Sequence, residues 1–191
     1  MSDATMTAPR RSPLENRSGE AAIDGVSLTA CPPRTRLILR GEASTGAAGA
    51  VLGLEIPRKP NRAAAAGERA ALWLGPDEWL ILAPEAETAT LFASLEQALA
   101  SVPHALVDVS HRQTAILLSG PGCADALNAA VPLDLSEAAF PVGMATRTIF
   151  EKAEIVLWRT GPESFHLEVW RSFSPYVWTL LDAVRRENAA L

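Results

Sequence analysis

Two stretches of the chain repeat one another, and that repetition constrains the fold more than any other feature. ALWLGPDEWLILAPEAETATLFASLEQAL (71–99) and VLWRTGPESFHLEVWRSFSPYVWTLLDAV (156–184) align so that Leu72-Trp73 meets Leu157-Trp158. After a one-residue insertion Gly75-Pro76 meets Gly161-Pro162, Trp79 meets Phe165, and Phe92 meets Trp178. Each stretch reads as strand, Gly-Pro turn, strand and amphipathic helix. In the first helix, over about 87–100, Leu91, Leu95 and Leu99 recur every four residues. In the last, Ser174 is the expected N-cap, Pro175 the first helical residue, and Val177, Leu180, Leu181 and Val184 the buried stripe. A strand and a shorter helix precede each stretch: 34–42 then 45–54, and 113–118 then a helix with Cys123, Ala126 and Leu127 inside. Residues 56–69 read as a loop, and 104–109 as a strand closing the first unit. The predicted fold class is therefore α+β: a pseudo-dimer of tandem ferredoxin-like βαββα repeats, over about 34–109 and 112–187.

Helices cover one face of such a sheet, so the other face must meet the second repeat, another chain or water. The strand Glu78–Ala83 is apolar on both faces, Trp79 and Ile81 on one and Leu80 and Leu82 on the other, which predicts burial on both. Its counterpart alternates, with Phe165, Leu167 and Val169 against His166, Glu168 and Trp170. The expectation is an asymmetric cover and more apolar sheet than the chain hides alone. His166, Glu168, Trp170 and the His111-Arg112 corner are the candidate wet or partnered face.

At 191 residues the chain is long enough to bury roughly 70% of its unfolded surface without a disulfide or metal. All its aromatic residues lie between Trp73 and Trp178, so residues 1–28 read as a disordered N-terminal tail before a single domain, 29–191. A net charge of −5 argues against nucleic-acid and anionic-membrane partners. Two widely separated cysteines, Cys31 and Cys123, and no apolar leader fit a cytoplasmic protein.

Catalytic groups are sparse. His104, His111 and His166 have neither each other nor a cysteine at metal-ligand spacing, so no metal site is assigned. Adjacent Ser110 and His111 point to opposite sides of an extended chain, which disfavours a hydrolytic dyad. Cys123 near a helix start invites a nucleophile reading, but it shares a stripe with Leu127 and reads as a buried structural thiol. Gly120-Pro121-Gly122 fails as a phosphate loop: Asp125 stands where a third glycine belongs, and Pro121 removes an N–H. Asp108, inside ALVDV, reads as the partner of an arginine such as Arg112. No catalytic or cofactor-binding residue is assigned, and the inventory favours an interaction subunit over a self-sufficient enzyme.

LWLGPDEWLIL (72–82), VDVSHRQTAILLSGPGCADALN (107–128), LDL (133–135) and FHLEVWRSFSPYVWTLL (165–181) resemble the gamma-subunit family of heterotetrameric sarcosine oxidases. That family is related to the folate-binding domain of the glycine-cleavage T protein and the aminomethyltransferases, whose fold the tandem repeat matches. The resemblance implies a non-catalytic subunit of a complex that oxidatively demethylates sarcosine to glycine. The complex makes hydrogen peroxide and, with tetrahydrofolate, methylenetetrahydrofolate. It implies partners alpha (the main contact), beta and delta. It places FAD, FMN, NAD and tetrahydrofolate in alpha and beta and a zinc ion in delta, with no cofactor on this chain. The alternative is a stand-alone folate-binding or folate-dependent aminomethyltransferase-like protein.

Overall fold

The computed structural model describes residues 11–17, 20–23 and 25–188. In chain order the elements are β1 (Glu20–Ile23), β2 (Val26–Ala30), β3 (Arg34–Arg40), α1 (Thr45–Leu52), β4 (Ala63–Ala66), β5 (Arg69–Gly75), β6 (Glu78–Pro84), α2 (Thr88–Leu99) and β7 (Ala105–Asp108). There follow β8 (Gln113–Ser119), α3 (Cys123–Asn128), β9 (Ala145–Phe150), β10 (Ala153–Gly161), β11 (Ser164–Trp170) and α4 (Ser174–Asn188). The strands form two sheets, β4-β5-β6-β3-β7 and β1-β2-β8-β11-β10-β9, and every pairing within them is antiparallel.

The first sheet has ferredoxin-like order. β3 lies between β6 and β7, and β5 lies outside β6. The second copies it, with β8, β10 and β11 in the places of β3, β5 and β6. Its fourth place, beside β8, is filled by β2 from the start of the chain, paired Leu28↔Leu118 and Ala30↔Ile116. This corrects the expected tail over 1–28 wherever that stretch is described; residues 1–10, 18, 19 and 24 lie outside the described residues. No strand follows α4 among the described residues, so β8 would present a bare edge without β2. Val26 and Leu28 alternate inward at 2% and 1% exposure, and Leu14 is buried. Arg185, also buried, donates to the Val26 carbonyl at 3.2 Å.

Three apolar layers stack through the molecule. Leu37, Leu39, Trp79 and Ile81 pack on Ala48 and Leu52 of α1 and Leu91, Leu95 and Leu99 of α2. Ile155, Leu157, Phe165, Leu167 and Val169 pack on Cys123 and Leu127 of α3 and Val177, Trp178 and Leu181 of α4. Between the sheets, Ile38, Leu72, Leu80 and Leu82 meet Ala145, Val156 and Trp158. Leu80 and Leu82 are fully buried there. The second apolar face of β6 is therefore covered by the other repeat, which corrects the expected surplus of uncovered sheet.

Two local expectations also change. Within the expected loop 56–69, Ala63–Ala66 is a strand, paired in register from Ala63↔Leu72 to Ala66↔Arg69. Alanines carry little strand signal; pairing with β5 supplies the hydrogen bonds instead. Ser174 lies inside α4, its hydroxyl donating to the Arg171 carbonyl at 2.9 Å. The Phe173 carbonyl accepts the helical bond from the Val177 N–H at 3.0 Å.

Candidate functional site

A buried group of ionisable side chains sits between the sheets. Arg36 of β3 and His166 and Glu168 of β11 are all buried. Strand parity puts them there. Leu37 and Leu39 face the helices, so Arg36 and Ile38 face the other sheet; Phe165, Leu167 and Val169 face the opposite helix layer, so His166 and Glu168 face Arg36. The Arg36 guanidinium grips Glu168 in a fork, Nε to Oε2 at 2.6 Å and Nη2 to Oε1 at 3.1 Å. His166 Nε2 lies 2.9 Å from Glu168 Oε1.

Two cationic side chains, Arg36 and His166, share the one carboxylate of Glu168. Burial alone would deprotonate His166, but hydrogen bonds to Cys31 and Glu168 and the charge of Glu168 outweigh it and raise its pKa to about 9. Burial would raise the Glu168 pKa too, yet the Arg36 charge and the His166 hydrogen bond hold it below the ordinary carboxylate value. Ser110 accepts from the Arg36 backbone N–H at 2.9 Å and donates to Asp108 Oδ1 at 2.6 Å. Asp108 thus closes a turn onto Ser110, where an ion pair with Arg112 was expected.

Such a group fixes how two sheets sit on each other. The space beside Arg36, bordered by Gln113, Thr114 and Arg171, measures about 10 Å³. That is about the volume needed to hold one water. A depression of about 590 Å³ lies elsewhere, against α1 between Gly46, Gly53 and Arg58.

The remaining sequence candidates scatter. His166 and Glu168 are buried and paired within the chain, Glu168 with Arg36 and His166 with Glu168. Trp170 is 41% exposed, with the Arg112 guanidinium 5.5 Å from its ring centroid. His111 and Arg112 form the turn between β7 and β8, as expected. His104 Nε2 lies 3.6 Å from Glu96 Oε1. Cys123 is buried, and burial pushes its thiol pKa up, so it is a poor nucleophile. No group of His, Cys, Asp and Glu able to hold a metal ion occurs among the described residues. No helix among them is long and apolar enough to cross a membrane. Sequence reasoning passed over Arg36 and Arg159. Arg159, also buried, donates to the carbonyls of Leu135 at 3.2 Å and Phe140 at 2.9 Å. The signal for both was an arginine next to an apolar run, LIL after Arg36 and IVLW before Arg159.

Two ferredoxin-like halves, closed back to back with an ion cluster between their sheets, define a tandem α+β protein of the kind seen in aminomethyltransferases. The glycine-cleavage aminomethyltransferase T of Bartonella henselae shares this fold, with TM-score 0.66 and 13% identity over 82% of this chain and 45% of that one. The model of the "Sarcosine oxidase, gamma subunit family" matches residues 40–187. The gamma subunit of sarcosine oxidase from Arthrobacter sp. is 36% identical, over 84% of this chain and 82% of its own length. That of Corynebacterium sp. strain P-1 is 35% identical, over 93% and 91%. A chain in the solved structure of heterotetrameric sarcosine oxidase from Corynebacterium sp. U-96, in complex with pyrrole 2-carboxylate, superposes with TM-score 0.86 and 30% identity. That match covers 95% of this chain and 97% of that one. The chain belongs to the sarcosine oxidase gamma subunit family.

Proposed function

We propose that this chain is the non-catalytic gamma subunit of a heterotetrameric sarcosine oxidase. The observation that carries the reading is the near-complete overlay on a chain of such a heterotetramer. Inside the fold, Arg36 and His166 both bond to Glu168 of the same chain, which ties the two repeats together. In this reading FAD, FMN, NAD and tetrahydrofolate are held by the alpha and beta subunits and zinc by delta, and alpha is the main contact. The unpaired thiols of Cys31 and Cys123 support a cytoplasmic setting.

The test is co-expression of the tagged chain with the other three subunits. All four should elute together in equal amounts, with flavin absorbance and sarcosine-dependent peroxide release. A soluble chain that ignores those subunits overturns the proposal. Saturable tetrahydrofolate binding by the isolated chain would favour the stand-alone folate reading instead.

A further inference from the structure

The two repeats provide an internal control for their own surfaces. Extending the Trp79–Phe165 correspondence along the chain places Pro84, Glu85, Glu87 and Thr90 of the first repeat against Trp170, Arg171, Phe173 and Tyr176 of the second. The scaffold is the same at both places, the end of a central strand running into a helix. In the first repeat the surface is acidic and polar. In the second it is aromatic and cationic.

The aromatic residues form one patch. The Phe173 N–H donates to the Trp170 carbonyl at 2.9 Å, closing the turn between them, and Tyr176 follows three residues on, over the first turn of α4. Trp170, Phe173 and Tyr176 are 41%, 44% and 41% exposed, half of the large exposed apolar side chains among the described residues. Arginines border the patch. Arg112 lies over the Trp170 ring, the Arg171 N–H donates to the Arg112 carbonyl at 3.1 Å, and Arg171 Nη2 donates to the Arg11 carbonyl at 2.7 Å. Glu154 is the acid in contact, its Oε1 3.4 Å from Trp170 Nε1. Trp, Tyr and Arg are the residues that dominate binding energy at protein interfaces. On a chain of net charge −5, this concentration of arginines marks the patch out.

We infer that Trp170, Phe173 and Tyr176, with the Arg112 and Arg171 rim, are the surface by which this chain docks on another subunit of the oxidase, whose complementary face is apolar with an acidic border. The inference rests on the subunit reading above. Charge selects the occupant: a second copy docking patch to patch would set Arg112 and Arg171 against their own images, whereas an acidic border pairs with them.

The experiment writes first-repeat residues into the second: Phe173→Glu with Tyr176→Thr, in the chain co-expressed with the other subunits. Both positions are exposed, so circular dichroism and the melting temperature of the purified variant should match the wild type. Its affinity for the assembled remaining subunits should fall about tenfold or more, while Ile149→Ser, at an exposed site on β9, leaves affinity unchanged. Wild-type binding should weaken with added salt. Equal binding by the double variant and the wild type overturns the docking surface and leaves the subunit reading standing. A wild-type chain that fails to bind the other subunits at all overturns both. A wild-type dimer that the double variant dissolves assigns the patch to a second copy and overturns the inference.

Discussion

In the first repeat Leu80 and Leu82 turn toward the opposite sheet; at the same places in the second, His166 and Glu168 do. The pattern reverses on the neighbouring strands. Gly41 and Gly120 each end their strand with an N–H donating to the following hairpin turn, to Asp77 and Glu163, both at 2.9 Å. Counting back from that pair sets Arg36 against Ala115. The first repeat therefore contributes one buried cation, and the second contributes the carboxylate that answers it and an imidazole bonded to that carboxylate. Two identical halves could not do this, because a symmetric pair would bury either two arginines or none. Divergence at these places made the interface between the sheets specific, at the cost of making each half dependent on the other.

The halves also close their sheets differently. β7 follows its own helix, but β2 reaches back from the start of the chain. Deleting residues 1–30 should therefore have the largest effect. It exposes the cavity left by Leu14, Val26 and Leu28, at about 2 kcal/mol each, close to the whole stability of an ordinary domain. The truncated chain should be insoluble or lack a cooperative melt; an unchanged melt would mean that β2 is dispensable.

The ion cluster comes next. Glu168→Gln leaves Arg36 buried without its counter-charge and should cost about 3–5 kcal/mol in urea unfolding. Carrying the first repeat's residues across, as His166→Leu and Glu168→Leu together with Arg36→Met, removes every charge at once. That triple variant should equal the wild type or exceed it by about 1–4 kcal/mol. A triple variant as weak as Glu168→Gln would show that the sheets need the ion pairs themselves.

The extent to which this was readable beforehand follows the range of the interactions. Order and type of most elements were legible, because Leu91, Leu95 and Leu99 or Phe165, Leu167 and Val169 declare their period within a few residues. The parity of RTRLILR puts Arg36 on one face with Ile38 and Arg40, but it does not say that the face is buried at Arg36 and exposed at Arg40. The partner of Arg36 was not legible either: Glu168 is 132 residues away, and period alone does not say which sheet faces which. β2 was missed for the same reason. Val26 and Leu28 alternate, but so short a run carries weight only once β8 is seen to lack a neighbour. The family motifs were legible as sequence; the interior cluster was legible only as an oddly polar strand.

His166 gives the comparison a pH axis. Its folded pKa of about 9 stands above the ordinary 6.5, so the proton is bound more tightly in the folded state. That contribution is complete below about pH 6.5 and is lost as pH rises through 9, a change of about 3 kcal/mol. Urea unfolding of the wild type at pH 6 and pH 9.5 should differ by that amount relative to the triple variant, which lacks the group. Equal slopes for the two proteins would place the His166 pKa near its unfolded value.

The smallest effect tests where the halves still agree. Gly41 has φ 113° and Gly120 φ 115°, a region that side chains avoid. Each faces the segment leading into its sheet's closing strand. A Cβ on Gly41 would lie 2.8 Å from the Pro103 carbonyl oxygen, and one on Gly120 1.6 Å from that of Gly25. Both alanine variants should lose about 1–3 kcal/mol or more, with Gly120→Ala the worse because the carbonyl oxygen it meets stands 1.6 Å away against 2.8 Å at Gly41. Hydrogen exchange should place the damage in β7 for Gly41→Ala and in β1 and β2 for Gly120→Ala. If both variants instead loosened the same sheet, the equivalence of β2 and β7 as closing strands would be lost.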